Sequence, residues 1–350
     1  MFPLVILSER NKKDNMLKNF WKKLKKPFFV LAPMLDVTDT AFRQIIAKYG
    51  KPDVFWTEFV SVDGLCSEEG REKLKKSLLQ FDESERPIVA QIFGSKPENF
   101  EKSAKMIAEL GFDGIDINMG CPQRNILKQG AGSELIKTPG LAREIIRATK
   151  KGAGSLPVSV KTRIGYNKNE VETWISAILE EEPVVLTIHG RTKKEMSKAP
   201  ADWDTIKRGR EIRDEMKSKT LIIGNGDVSN VDEAQKRVEE TGVDGIMIGR
   251  GIFGNPWLFS EIDWGNLPVR EKLKVALEHT KLFEKIFGET KENKKIFGKR
   301  ARNFALMKKH YKAYINGFEG AKELRVKLMG TNSVEEVEKI IAKEVKRLEK

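Results

Sequence analysis

PIVAQIFGSKPENFEKSAKMIAELGFDGIDINMG, residues 87–120, contains one complete folding unit. PIVAQIF (87–93) is a short, largely apolar run, and in NFEKSAKMIAEL (99–110) apolar residues recur at three- and four-residue steps. GIDINMG (114–120) is a second short run, and Gly111 stands where the helix between them needs a left-handed cap. No hairpin signal separates the two runs. A strand, a helical crossover and a second, parallel strand follow.

Outward from this unit the pattern repeats. FFVLAP (28–33) and VFWTEF (54–59) precede it, and PVSVKTRIG (157–165), VVLTIHG (184–190), TLIIGNGDV (220–228) and GIMIGRG (245–251) follow. The intervening stretches, such as GLAREIIRATKKG (140–152), have helical periodicity, with Gly152 and Gly242 as further expected caps. Eight α/β units predict a closed (β/α)8 TIM barrel, with an open eight-stranded sheet as the alternative. A barrel of roughly 250 residues leaves an appendage in a chain of 350.

Charge divides the chain at the same places. Residues 1–27 carry a net charge of +6 and residues 267–350 one of +10, while residues 28–266 carry −3 of the total of +13. We therefore expect a basic N-terminal extension (1–27), a barrel (28–266) and a basic helical domain (267–350). Two basic ends suggest a polyanionic partner, nucleic acid or an acidic membrane surface, with solvated lysine-rich helices as the alternative. Within 15–27, Leu17, Phe20, Trp21 and Leu24 share one helical face up to Pro27. That face suits RNA contact, a membrane surface or packing under the barrel.

The longest apolar run, Phe28 to Leu35, is far shorter than the roughly 20 residues of a membrane span. Residues 1–7 lack the basic flank of a secretory signal, so a cytoplasmic location is expected. Cys66 and Cys121 have no CxxC spacing, and His189, His279 and His310 lie far apart, so no metal site is expected.

Barrel chemistry sits where strands end. The ends carry Pro33–Met34, Glu58, Gln91, Asn118 with Cys121, Lys161 with Arg163, His189 with Arg191, Asn225–Gly226–Asp227 and Gly249–Arg250. GNGD (224–227) and IGRG (248–251) end the seventh and eighth units, where glycine-exposed backbone N–H groups commonly bind phosphate. Arg250 can add a forked contact. No P-loop pattern is present.

APMLDVTDTAFR (32–43), TEFVSVDGL (57–65), DINMGCPQRNILKQGAGSEL (116–135), VKTRIGY (160–166), TIHGRT (187–192), NGDV (225–228) and GRGIFGNPWLF (249–259) together resemble the motifs of tRNA-dihydrouridine synthases, in order. KKHYKAYINGFEGAKELRVKL (308–328) is similar to that family's C-terminal helical segment. The loop KKEMSKAPADW (193–203) departs from the family's Gly-containing turn. The resemblance implies an FMN-dependent monomer that uses NADPH, or NADH, to reduce particular uridines of tRNA to 5,6-dihydrouridine. It implies cofactor contacts from Pro33, Met34, Leu35, Gln91, Lys161 and His189, and phosphate contacts from Asn225, Gly226, Asp227, Gly249 and Arg250. Asn118 matches the uracil-contacting Asn, and Cys121 the proton donor.

A thiol with a reference pKa near 8.5 holds its proton at neutral pH yet can release it in a transition state. Lys161 can stabilise negative charge on a reduced flavin. The target base must leave its stack to reach a buried flavin. We expect Arg191 to contact the substrate. Arg300, Arg302, Lys308, Lys309, His310 and Lys312, interleaved with Phe304, Tyr311 and Tyr314, supply cations and stacking faces; the alternative is that the aromatics pack inward and only the cations face out, and we expect the two to hold together. Two rival readings remain: a flavin-dependent dehydrogenase of a free pyrimidine-type metabolite, and a non-catalytic tRNA-binding module.

Overall fold

A computed structural model describes residues 19–348. Its parallel strands are β1 (Phe28–Leu31), β2 (Phe55–Trp56), β3 (Val60–Ser61), β4 (Ile88–Phe93), β5 (Gly114–Met119), β6 (Val158–Arg163), β7 (Val185–His189), β8 (Leu221–Asn225) and β9 (Gly245–Ile248). They pair in the order β1-β9-β8-β7-β6-β5-β4-β2, with β3 also on β4. A parallel bridge between Val30 and Val54 joins β1 to the start of the second unit and completes the ring. The open-sheet alternative is thereby excluded.

The run 54–59, expected as one strand, is two short ones. Between them Glu58 leaves the ladder, and its carboxylate accepts bonds from the Asp36 N–H and from Arg302.

Alternation along each strand sorts the core into two shells. Ile88, Ala90 and Ile92 of β4, Ile115 and Ile117 of β5, and Val158 and Val160 of β6 belong to the outer core, under the helices. Phe28, Val30, Val54, Trp56, Val89, Val185, Ile223 and Met247 form a separate inner cluster. The inner cluster is apolar low in the barrel, and the inward positions further along the same strands are polar.

Trp21 seals the lower end. It lies in a short turn of 3₁₀ helix, Phe20–Lys23, with its indole 5.7 Å from the Phe28 ring and 5.8 Å from that of Trp56. Of the three roles open to residues 15–27, packing under the barrel is the one Trp21 fills. Leu17 and residues 1–18 lie outside the described residues.

The surrounding helices start and stop where local chemistry dictates. Asp39 caps Thr40–Tyr49 by accepting the Phe42 N–H, a contact worth about 1 kcal/mol. Asn230 caps Val231–Thr241, and Gly242 ends it at φ +67°. Gly152 does not end its helix, which runs Pro139–Ala153 and stops at Gly154. A Cβ at Gly152 would lie 2.0 Å from the Glu101 carbonyl oxygen, so glycine there permits close packing against Pro97–Glu109.

Beyond the last strand come the helices Val269–Phe287, Lys291–Phe297, Met307–Tyr314, Ala321–Met329 and Val334–Leu348. Their apolar faces join the outer core through Phe283, Phe287, Met307, Tyr311 and Tyr314.

Candidate active site

The inward positions above the apolar floor form a hydrogen-bonded polar tier. β4 contributes Gln91, β5 Asp116 and Asn118, β6 Ser159, Lys161 and Arg163, β7 His189, and β8 Asn225. Register places Gln91 and Ser159 on either side of Asp116, and Lys161 beside Asn118. Lys161 Nζ donates to Asn225 Oδ1 at 2.9 Å, and Asn225 Nδ2 donates to the Met247 carbonyl at 2.8 Å. Arg163 Nε donates to the Gly120 carbonyl at 2.7 Å.

Above this tier opens a cavity of about 570 Å³. Pro33 and Met34 form one wall, Lys161, Arg163, His189 and Arg191 another, and Asn225 to Ser229 with Gly249 to Gly251 the third. Met196 and Ser197, from the loop that departs from the family's turn, lie at its edge.

Asp227, at φ +48°, ties this last wall together. Its carboxylate accepts from Arg191 Nη2, from Arg250 Nη2 at 2.7 Å and from the Ala201 N–H at 2.9 Å. Gly226 beside it has φ +139°, a conformation that favours glycine. With Arg191 and Arg250 already paired to it, Asp227 orients cations rather than offering a free charge to a ligand.

Four cations facing one cavity set its titration. Burial, then repulsion from Arg163, pushes Lys161 down to about 8, against the attraction of Asp116. Burial pushes Arg163 to about 10. His189 falls well below its usual range through burial and then through Arg163, Lys161, Arg191 and Arg250, so it is neutral, and its buried Nδ1 has no partner. Burial raises the Cys121 thiol and keeps it protonated at neutral pH.

Cys121 stands beside the cavity, next to Gly120, which lines it. Its side chain, like those of Leu35 and Phe93, packs against a small buried cluster of Phe59, Ile126 and Ala131. The Cys121 N–H donates to Asn118 Oδ1 at 2.9 Å, and Ser133 Oγ donates to the Cys121 carbonyl at 3.0 Å. Thus Pro33, Met34, Lys161, His189, Arg191, Asn225, Gly226, Asp227, Gly249 and Arg250 meet at one cavity. Gln91 and Asn118 lie in the tier beneath it, and Leu35 lies in the Cys121 cluster.

The tail is a different matter. Arg302 is buried, and its guanidinium holds Glu58, donating to Oε1 from Nη2 at 2.9 Å, and reaches Asp36 at 2.9 Å. It braces the helical segment to the barrel and offers nothing to a phosphate. Arg300 pairs with Glu284. His310 is also buried, and burial takes it down to about 3, so it carries no charge at neutral pH. Phe304, Tyr311 and Tyr314 pack inward: Tyr311 bonds Thr280 at 3.1 Å, and the Tyr314 hydroxyl lies 3.2 Å from His279 Nδ1. The inward-packing alternative holds. Lys308 is half-buried, and Lys309 and Lys312 are exposed.

Two site residues gained no role from the sequence. In the sequence Arg163 has only a strand-end position, and Asp116 only a place at the head of the motif 116–135. Two-residue parity with Lys161 and Asn118 is the signal that points both of them inward.

A parallel barrel with a cationic cavity and a protonated thiol at the C-terminal ends of its strands defines an α/β-barrel enzyme. Residues 30–349 match the family model described as dihydrouridine synthase. The chain is 44% identical over 327 residues to a probable tRNA-dihydrouridine synthase 2 of Bacillus subtilis, covering 93% of this chain and 96% of that one. It is 43% identical to a probable tRNA-dihydrouridine synthase of Staphylococcus aureus, covering 93% and 95%. The chain belongs to the dihydrouridine synthase family, whose members are oxidoreductases. Among solved structures, histamine dehydrogenase from Rhizobium sp. 4-9 shares the fold, with a TM-score of 0.50 and 14% identity over 73% of this chain and 48% of that one. No described helix is long and apolar enough to cross a membrane.

Proposed function

We propose that this chain reduces uridines of tRNA to 5,6-dihydrouridine, with FMN as cofactor and NADPH as reductant. The observation that carries the reading is a cationic cavity beside a protonated thiol, in a chain of this family. The residues present fit a flavin mononucleotide. Arg250 and the backbone of 225–227 and 249–251 suit its phosphate, Lys161 and the unpartnered His189 Nδ1 suit polar atoms of the ring, and Pro33 and Met34 supply an apolar wall.

Bound and reduced, a flavin held there would supply hydride to carbon 6 of uracil. The uracil would then carry negative charge on carbon 5, shared with the oxygen on carbon 4. Cys121 Sγ delivers a proton to carbon 5, and the thiolate left behind is stabilised by the nearby charges of Arg163 and Lys161. Asn118 stands one hydrogen bond from the Cys121 backbone and can hold the base at that position. Packing against the cluster of Phe59, Ile126 and Ala131 leaves the Cys121 side chain partly buried. Lys308, Lys309 and Lys312 supply cations for the phosphates of a folded RNA. A tRNA substrate supports a cytoplasmic location for this work.

The test is direct. Purified protein, NADPH and unmodified tRNA are expected to yield dihydrouridine, and free uracil is not expected to be reduced. Reduction of free uracil with tRNA ignored establishes the metabolite reading instead. RNA binding with no product from either substrate establishes the non-catalytic one.

A further inference from the structure

Beneath the cavity, Asp116 of β5 is fully buried between Gln91 of β4 and Ser159 of β6. Its Oδ2 accepts Gln91 Nε2 at 2.7 Å and its Oδ1 accepts Ser159 Oγ at 2.6 Å. An ionised carboxylate can only accept hydrogen bonds. It therefore compels Gln91 to turn its nitrogen inward, which leaves Gln91 Oε1 to accept Asn118 Nδ2 at 3.0 Å. With its nitrogen committed there, Asn118 presents Oδ1 to the turn that carries the thiol. That oxygen accepts the Cys121 N–H at 2.9 Å and the Gly120 N–H at 3.2 Å.

Each link has one workable direction. Reversing either amide sets donor against donor or acceptor against acceptor in a buried place, which is costly in a low-dielectric interior. Gln91 and Asn118 are both buried, so water is poorly placed to repair a reversed link.

We propose that Asp116 is a positioning residue for the reduction, its carboxylate setting the direction of the Gln91–Asn118 chain and so holding Asn118 and the Cys121 turn for proton delivery. The inference rests on Cys121 as the proton donor. A proton on Asp116 makes it a donor as well, and the chain then keeps its direction only when that proton sits on Oδ1 and is donated to Ser159 Oγ, so the direction is no longer compelled. Burial pushes its pKa up to about 6, against Ser159, Gln91 and Lys161. The charged group facing it is Lys161 from β6. Gln91 from β4, Ser159 from β6 and Trp56 from β2 are uncharged.

The experiment uses the flavin-loaded enzyme and the isosteric variant Asp116→Asn, followed by stopped flow in its two half-reactions. Flavin bleaching by NADPH is expected to change less than reoxidation does. Reoxidation by tRNA is expected to slow by about tenfold or more, with KM for tRNA within about twofold of wild type, as for loss of an interaction that matters in the transition state. The wild-type fall in reoxidation rate as pH drops through about 6 is expected to vanish in the variant. Wild-type reoxidation by Asp116→Asn, with that acidic limb intact, overturns the proposal.

Should Asp116→Asn fail to fold, Ser159→Ala serves. It removes one bond to the carboxylate and leaves Gln91 untouched, so the acidic limb is expected to move to higher pH, and an unmoved limb overturns the proposal. Cys121→Ala, run alongside, separates the two ideas. Full reoxidation in Cys121→Ala defeats the proton-donor reading itself, whatever Asp116→Asn does.

Discussion

Arg302 and Glu58, 244 residues apart, form a buried ion pair in which the guanidinium of the helical segment holds both carboxylate oxygens of the barrel residue. Glu58 has no exposure, so removing its partner strands a charge in the interior. Arg302→Ala is expected to cost about 3–5 kcal/mol of stability. Urea unfolding of the wild type, Arg302→Ala, Glu58→Gln and the double variant checks this. Fully additive effects would refute the coupling.

Cys121→Ala is expected to lower dihydrouridine formation by about 10²- to 10⁴-fold, the usual range for a lost general acid. Flavin content is expected to remain normal, because the Cys121 side chain packs against the cluster of Phe59, Ile126 and Ala131 and does not line the cavity proposed to hold the cofactor. Product analysis of treated tRNA and the visible spectrum of the purified variant read the two quantities separately.

Lys161 loses its proton as pH rises through about 8, so the cavity loses positive charge on the alkaline side. Flavin affinity, followed by fluorescence quenching, is expected to weaken across that range and to hold steady below it. Arg250→Ala is expected to weaken the same affinity by roughly ten- to a hundredfold, the worth of a charge-assisted hydrogen bond. Arg250→Lys should recover only part of it, because a point charge cannot replace a fork.

Substrate binding should depend steeply on salt through Lys308, Lys309 and Lys312. Replacing all three with alanine is expected to flatten the plot of log affinity for tRNA against log salt by roughly two units, at about 0.7–0.9 per phosphate contact. Arg302→Ala is expected to leave that slope unchanged. A slope that falls with Arg302 and not with the lysines reverses the assignment.

These contrasts trace what the chain discloses locally. The barrel was legible because each unit repeats the same short run and helical stretch, and the cavity because polar residues recur at the same strand position. Arg302 misled for the opposite reason. Its neighbours Arg300 and Lys308 look like a basic surface, and nothing within ten residues announces that Glu58 and Asp36 await it across the fold. The same distant contact falls where the run 54–59 divides into β2 and β3. Asp116 and Arg163 were recoverable by counting in twos from Asn118 and Lys161, but only once the strands' inward faces were fixed.

Trp21 carries a kinetic consequence. With its indole wedged against Phe28 and Trp56 below an apolar floor, the described residues close that end of the barrel and leave the cavity at the strand ends open. On the proposed function, the nicotinamide that recharges the site and the nucleotide that discharges it use that opening in turn. Double-reciprocal plots at several fixed NADPH concentrations are therefore expected to run parallel, the pattern of a ping-pong enzyme, and lines that intersect would mean that both substrates find room at once.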